Sequence, residues 1–158
     1  MAFWTKQDNE PLRKFRFQVT LGEVLWYAKS VSKPSFEVST NEYQLINHKF
    51  KYPGVLTWND VEIVITDEKE EKNGVKYYKK LLDIGYNPEG SVFDGINKTQ
   101  YKNGDILIEQ LDADGRVLEE WKLINPFIKS VNFGSLDYSS DDLVEITITV
   151  GYDRAVLT

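Results

Sequence analysis

LEEWKLINPFIKSVNFGSLDYSSDDLVEITITVGYD, Leu118 to Asp153, contains the run on which the fold turns. From Leu143 to Tyr152 apolar and polar side chains alternate. Val144, Ile146, Ile148 and Val150 point one way, and Glu145, Thr147 and Thr149 point the other. A period of two marks a strand with one buried face and one wet face. Just upstream, Pro126 precedes a strand expected over Ile128 to Phe133, and another strand is expected over Arg116 to Ile124. The stretch is rich in Val, Ile, Thr and aromatic residues, which suit a pleated, half-buried surface.

The same pattern extends toward the N-terminus. DADG, Asp112 to Gly115, reads as a hairpin turn joining Arg116–Ile124 to a strand over Asp105 to Leu111. From Arg13, Phe15, Phe17 and Val19 alternate with Lys14, Arg16 and Gln18. Gly22 marks a turn, and a second strand runs from Val24 to Ser32. It stops near Pro34, which cannot donate to a ladder. Val55 to Thr66 reads as one strand in which Val61, Ile63 and Ile65 oppose Asp60, Glu62 and Val64. Residues 35–54 lack a clean period and include the turn signal Pro53-Gly54. They are expected to form a long excursion with some strand, and long ordered excursions tend to be functional. One segment changes period: Val75, Tyr78, Leu82 and Tyr86 fall three or four apart, so a helix is expected from Val75 to Tyr86, ended by Asn87-Pro88. A turn-rich stretch follows over residues 87–104.

These readings predict a mainly β fold: a β-barrel or two-sheet β-sandwich with one flanking α-helix and roughly seven or eight strands. A length of 158 residues favours one domain. Residues 1–12 read as an N-terminal arm, 13–155 as the domain and 156–158 as a short tail. Phe3 and Trp4, two aromatics on that polar arm, are candidates for insertion into a neighbour.

Composition excludes several classes of chemistry. A net charge of −6 disfavours tight binding to a phosphate backbone, which relies on Lys and Arg displacing counterions. The absence of cysteine removes disulfides, thiol chemistry and thiolate zinc sites. The lone histidine, His48, supports neither a His-rich metal site nor a hydrolase triad, because no nucleophile motif accompanies it. DADG is followed at once by Arg116 and Val117, so it is a turn rather than a calcium loop. Asp141 and Asp142 are adjacent and enter a strand on opposite faces, a poor arrangement for paired acid catalysis. The N-terminus lacks a signal-peptide pattern, and no apolar run reaches membrane-helix length. No cofactor, metal or membrane association is expected, and the chain is not expected to be an enzyme.

Two segments carry a resemblance. Residues 26–58, with KSVSKPSFEVS and LINHKFKYPG, and the ending WKLINPFIKSVNFGSLDYSSDDLVEITITVGYD resemble the tail tube protein of contractile-tailed bacteriophages. The likeness extends over about Pro11 to Ala155. It implies a tube fold shared with type VI secretion and other contractile injection systems, and an assembly in which six subunits close into a ring. The inner sheets then join into one large barrel, and rings stack into a hollow tube inside a contractile sheath. The implied partners are further copies of the chain, the sheath protein, a tape-measure protein in the lumen, and baseplate or initiator and terminator proteins. DNA passes through without specific binding. The implied location is the virion tail, assembled in the host cytoplasm.

The excursion from Lys33 to Gly54 resembles the family loop that reaches a neighbouring subunit. Pro34, Phe36, Tyr43, Asn47, His48, Phe50, Tyr52 and Trp58 are the contact candidates, with Phe36, Phe50 and Trp58 open to the alternative of capping their own core. The wet faces Asp60/Glu62/Thr66 and Glu145/Thr147/Thr149 are candidates for an acidic, non-sticky lumen, or else face sheath or solvent. Three further readings stay open: a tube initiator at the baseplate, a tube protein of a bacterial injection system, and a monomeric ligand-binding β-barrel.

Overall fold

The computed structural model describes residues 11–21, 23–24, 28–69, 72–83 and 105–158. Among them are eleven strands and one helix. In chain order these are β1 (Phe17–Leu21), β2 (Glu23–Val24), β3 (Ala28–Val31), β4 (Phe36–Leu45), β5 (His48–Trp58), β6 (Val61–Thr66), α1 (Asn73–Asp83), β7 (Ile106–Leu111), β8 (Val117–Ile124), β9 (Phe127–Asn132), β10 (Glu145–Gly151) and β11 (Arg154–Leu157). They form a five-stranded sheet ordered β11-β8-β7-β1-β2, a four-stranded sheet ordered β3-β6-β10-β9, and the separate hairpin β4-β5. All described pairings are antiparallel, and neither large sheet closes on itself. Of the two forms expected, the sandwich is the one adopted.

The alternation that predicts β10 is obeyed: Ile146, Ile148 and Val150 are fully buried. They meet Val61, Ile63 and Ile65 of the adjacent β6, and across the core Val19, Leu21, Ile106, Ile108 and Leu123 of the other sheet. Fully burying one such side chain contributes about 1.5–3 kcal/mol, so this shared layer is what holds the sheets together. Tyr77 of α1 is 1% exposed within the same cluster. The helix therefore presents a phase other than the Val75/Tyr78 stripe. Val75 is half exposed, and Tyr78 lies edge-on to Phe133 at 6.5 Å. Tyr86 and residues 87–104 lie outside the described residues.

Other expectations shift for local reasons. Phe15 precedes β1 in a turn closed by Arg16 N–H donating to the Arg13 carbonyl at 3.3 Å. It is 73% exposed, with the Arg16 guanidinium 5.2 Å from its ring. The strand expected over Val24 to Ser32 is divided between sheets: β2 pairs with β1, while β3 pairs with β6. Val55 to Thr66 is interrupted at Asn59-Asp60, which separates β5 from β6. DADG is a hairpin turn, with Asp112 Oδ1 accepting from Asp114 N–H at 2.9 Å and Arg116 N–H at 2.7 Å. Gly115 takes φ 82°, open to glycine at little cost. β11 has no counterpart in the sequence reading; it pairs with β8 as an edge strand. No helix among the described residues is long and apolar enough to cross a membrane.

Candidate functional site

Residues 36–58 form a two-stranded hairpin of ten and eleven residues rather than a loosely structured excursion. The turn lies at Ile46-Asn47, between the paired Leu45 and His48. Pro53-Gly54, which reads as a turn in the sequence, sits inside β5. There the register steps from Thr40↔Pro53 to Val38↔Leu56, leaving Ser39 opposite Gly54 and Val55. That is a β-bulge, two residues against one. Val55 N–H donates to Ser39 Oγ at 2.9 Å, closing it. A side chain on Gly54 has no room, since a Cβ there falls 2.2 Å from that Oγ.

The bulge divides the hairpin into halves with opposite amphipathicity. Alternation puts Phe36, Val38, Thr40, Glu42 and Gln44 on one face of β4. Near the base this face is apolar, with Phe36 beside Trp58 and Val38 beside Leu56; near the tip it carries Glu42 beside Lys51 and Gln44 beside Lys49. The other face reverses the order: Glu37 beside Thr57 at the base, then Asn41 beside Tyr52, Tyr43 beside Phe50 and Leu45 beside His48. The His48 and Phe50 rings lie 4.6 Å apart, edge to face.

The base is tied to its own subunit. Phe36 packs edge-on to Trp58 at 5.2 Å, and Trp58 lies 6.0 Å from Tyr152. Asn59 N–H donates to the Ser35 carbonyl at 2.9 Å, and Asn59 Nδ2 to Ser35 Oγ at 3.0 Å. Lys33 Nζ donates to Glu119 Oε1 at 3.0 Å, which also receives Trp121 Nε1–H at 2.7 Å. The Lys33 bond, aided by Trp121, holds the Glu119 carboxyl below its ordinary value. Burial pushes the Tyr152 phenol up, and the nearby Asp60 carboxylate adds to this. Pro34 is buried and Trp58 half-buried, whereas Phe36, Tyr43, Asn47, His48, Phe50 and Tyr52 are exposed. Phe3 and Trp4 lie outside the described residues. The sequence reading missed Leu45, Ile46, Val55 and Leu56, which are exposed on the same hairpin. Their apolar character against a polar background was the available signal.

The second set of candidates comes together on one surface. The register places Glu145 beside Thr66, Thr147 beside Val64 and Thr149 beside Glu62. On the other side of β10, Asn132 flanks Thr147 and Ser130 flanks Thr149. The outer face of the four-stranded sheet is therefore mostly hydroxyl, amide and carboxylate. Its charge is largely compensated: Lys29 pairs with Glu145, and Lys129 Nζ lies 2.7 Å from Asp60 Oδ2. Both lysines sit where a strand slips register. Glu62 forms no ion pair among the described residues. Among the described residues no cluster of His, Asp and Glu is arranged to hold a metal.

Solved structures share this architecture. One is the sheath-tube complex of an extracellular contractile injection system, PVC, in its extended state: 22% identity, 98% of each chain covered, TM-score 0.72. Another is the sheath/tube terminator of the same system, with 22% identity, 94% of this chain and 97% of the other covered, and TM-score 0.71. Hcp1 from Flavobacterium johnsoniae is a more distant likeness: 12% identity, 90% and 94% covered, TM-score 0.52. The fold is thus that of the tube proteins of contractile systems. A search of curated proteins by sequence found no match. The family model of the T4-like virus tail tube protein gp19 matches residues 13–156, and the chain belongs to that family. It is a structural tube protein and not an enzyme. An open sandwich with this membership also sets aside the ligand-binding barrel.

Proposed function

We propose that the chain is the repeating subunit of a phage tail tube. Copies close into sixfold rings, the rings stack into a hollow tube within a contractile sheath, and DNA passes down the tube into the host. The observation that carries this reading is the hairpin β4–β5. It spans ten and eleven residues, contributes nothing to the fully buried core, and exposes large apolar side chains along its length. An isolated two-stranded hairpin gains little from water and is marginal by itself, so a surface of this size fits a subunit contact.

The outer face of the four-stranded sheet suits a lumen. Thr147, Thr149, Thr66, Asp60, Glu62 and Glu145 offer a wet surface without a cluster of free cations, so DNA has little to adhere to. Among the described residues neither edge strand of that sheet, β3 or β9, has a second strand partner. Joining β3 of one copy to β9 of the next removes edges that otherwise promote aggregation. Sheath, tape-measure, baseplate or initiator, and terminator proteins complete the particle, which is assembled in the host cytoplasm. The solved neighbours from contractile injection systems support a second reading, in which the same tube serves a bacterial injection particle.

Negative-stain electron microscopy of the purified protein over a concentration series, with and without tail baseplates, tests the assignment. Rings or hollow tubes are the expected result. A protein that stays monomeric at every concentration and does not extend a baseplate would overturn it.

A further inference from the structure

Among the described residues the core of the sandwich is open on one side. Phe17 of β1, Val31 of β3, Ile108 of β7 and Trp121 of β8 border a half-open pocket of about 600 Å³. Ile108 belongs to the buried cluster, and the other three are partly buried side chains packed against it. The pocket is therefore a gap in the apolar layer rather than a furrow on the wet surface. Spaces of about 300–1,000 Å³ with apolar and aromatic walls take large apolar groups. One wall is held in place, since Trp121 Nε1–H donates to Glu119 Oε1 at 2.7 Å.

The chain enters the fold at this gap. Leu12 and Lys14 line its rim. Between them, the Arg13 carbonyl accepts a bond of 2.7 Å from Gln110 Nε2–H. Gln110 is buried, 8% exposed, in register with Phe17 across β1 and β7. That bond pins the backbone beside the pocket, so the segment before Leu12 starts from its mouth.

Residues 1–10, MAFWTKQDNE, lie outside the described residues, and their sequence suits the pocket. Phe3 and Trp4 are adjacent aromatics on a polar arm. Each gains by burial, which removes about 150–250 Å² of aromatic surface from water. Charge agrees with this. Lys14, Lys29 and Lys33 outnumber Glu109 among the lining residues. Lys29 and Lys33 are paired with Glu145 and Glu119, whereas Lys14 forms no ion pair among the described residues. Asp8 and Glu10 of the arm lie close to Lys14 in sequence. Trp4 stands eight residues before Leu12, which gives a reach of up to roughly 27 Å. A segment tethered so closely meets the pocket at an effective concentration on the order of millimolar, far above that of another copy's arm in dilute protein.

We propose that residues 1–10 fold back into this pocket of their own copy. Phe3 and Trp4 seat on Phe17, Val31, Ile108 and Trp121, and Asp8 and Glu10 lie beside Lys14. The arm thereby completes the sandwich core instead of reaching a neighbouring subunit. The contact lies within one copy, so it does not depend on ring or tube formation.

The native chain has no cysteine, so a short thiol–thiol cross-linker joins only introduced pairs. Thr5→Cys is combined with Val31→Cys in one protein, and with Ser130→Cys in a second, on β9 at the opposite edge of the same sheet. Electrophoretic mobility separates links within a chain from links between chains. In dilute protein the Val31→Cys pair should link within one chain at roughly ten times the yield of the Ser130→Cys pair. Adding Phe3→Ala and Trp4→Ala to the first protein should lower that yield roughly tenfold. A second measurement uses no cysteine: Phe3→Ala/Trp4→Ala in the otherwise native chain should lower the urea midpoint, whereas a solvated arm leaves it unchanged. Equal yields at both positions, a yield indifferent to the alanine pair, or an unchanged midpoint would overturn the docking. Links between chains would give the pocket to a neighbour's arm and overturn it as well. None of these results bears on ring formation, which micrographs read separately.

Discussion

Gly54→Ala should loosen the hairpin while leaving the sandwich intact. The new Cβ would lie 2.2 Å from Ser39 Oγ and 3.0 Å from the Ser39 carbonyl oxygen. The hydroxyl has to leave, and the bond it accepts from Val55 N–H at 2.9 Å leaves with it. That loss is about 0.5–1.5 kcal/mol. The carbonyl cannot rotate away independently, so the strands must shift, adding about 1–2 kcal/mol of overpacking strain. The sum is roughly 2–3 kcal/mol of hairpin stability. Ser39→Ala alone loses only the hydrogen bond, about 1 kcal/mol. In the double variant the hydroxyl is already gone, so the two effects should fall short of additivity by about 1 kcal/mol. Amide hydrogen exchange reads this element by element. Since 1.4 kcal/mol is about a factor of ten, Gly54→Ala should reduce protection of the β4 and β5 amides roughly 30- to 100-fold. The amides of Ile63 and Ile148, fully buried in the core, should not change. Additive single effects, or equal loss of protection in β6 and β10, would refute the steric account.

The remaining predictions address the turn, the core and an acid pair. Ile46→Asn relieves the left-handed backbone at φ 49° and should stabilise the free hairpin by about 1 kcal/mol, seen as increased amide protection, while weakening assembly in sedimentation. Ile148→Ala removes a fully buried side chain between β6 and β9 and should lower unfolding free energy by about 2–5 kcal/mol in urea titration. Glu109 lies across from Glu120; burial first, and that carboxylate second, hold its carboxyl above the ordinary 4.5. A folded state that raises an acid's pKa binds its proton more tightly than the unfolded chain, so stability is gained as pH falls through the raised value and lost as pH rises through it. Glu109→Gln should therefore flatten the urea midpoint above pH 4.5 and raise it at pH 7, by about a few tenths of a kcal/mol given solvent screening. An unchanged slope with pH would count against the pair.

Much of the sandwich is legible wherever one face is buried and one is wet. Ile146, Ile148 and Val150 alternate with Glu145, Thr147 and Thr149, and the burial follows residue by residue. The same logic places Glu62 and Thr66 on the surface shared with β10 without any knowledge of pairing, while Asp60 precedes β6 and pairs with Lys129 of β9. It fails where the environment has no such asymmetry. The hairpin has solvent on both sides in one subunit, so its two halves alternate in opposite phase and the sequence shows no single period. Pro53-Gly54 misleads because glycine serves two purposes: tight turning, and close approach of a facing strand. Here the second applies, and only the three-dimensional position of Ser39 reveals it. On the helix, Tyr77 rather than Val75 enters the core, and the 75/78 spacing alone does not reveal that.

The direct connection of β5 to β6 has a mechanical consequence. Tension applied between the hairpin and residues 133–144 runs along β6 and leaves along β10. The six register pairs that join those strands then lie across the line of pull and are loaded in shear. They must yield together instead of opening in sequence from one end. A subunit built this way resists stretching far better than peeling.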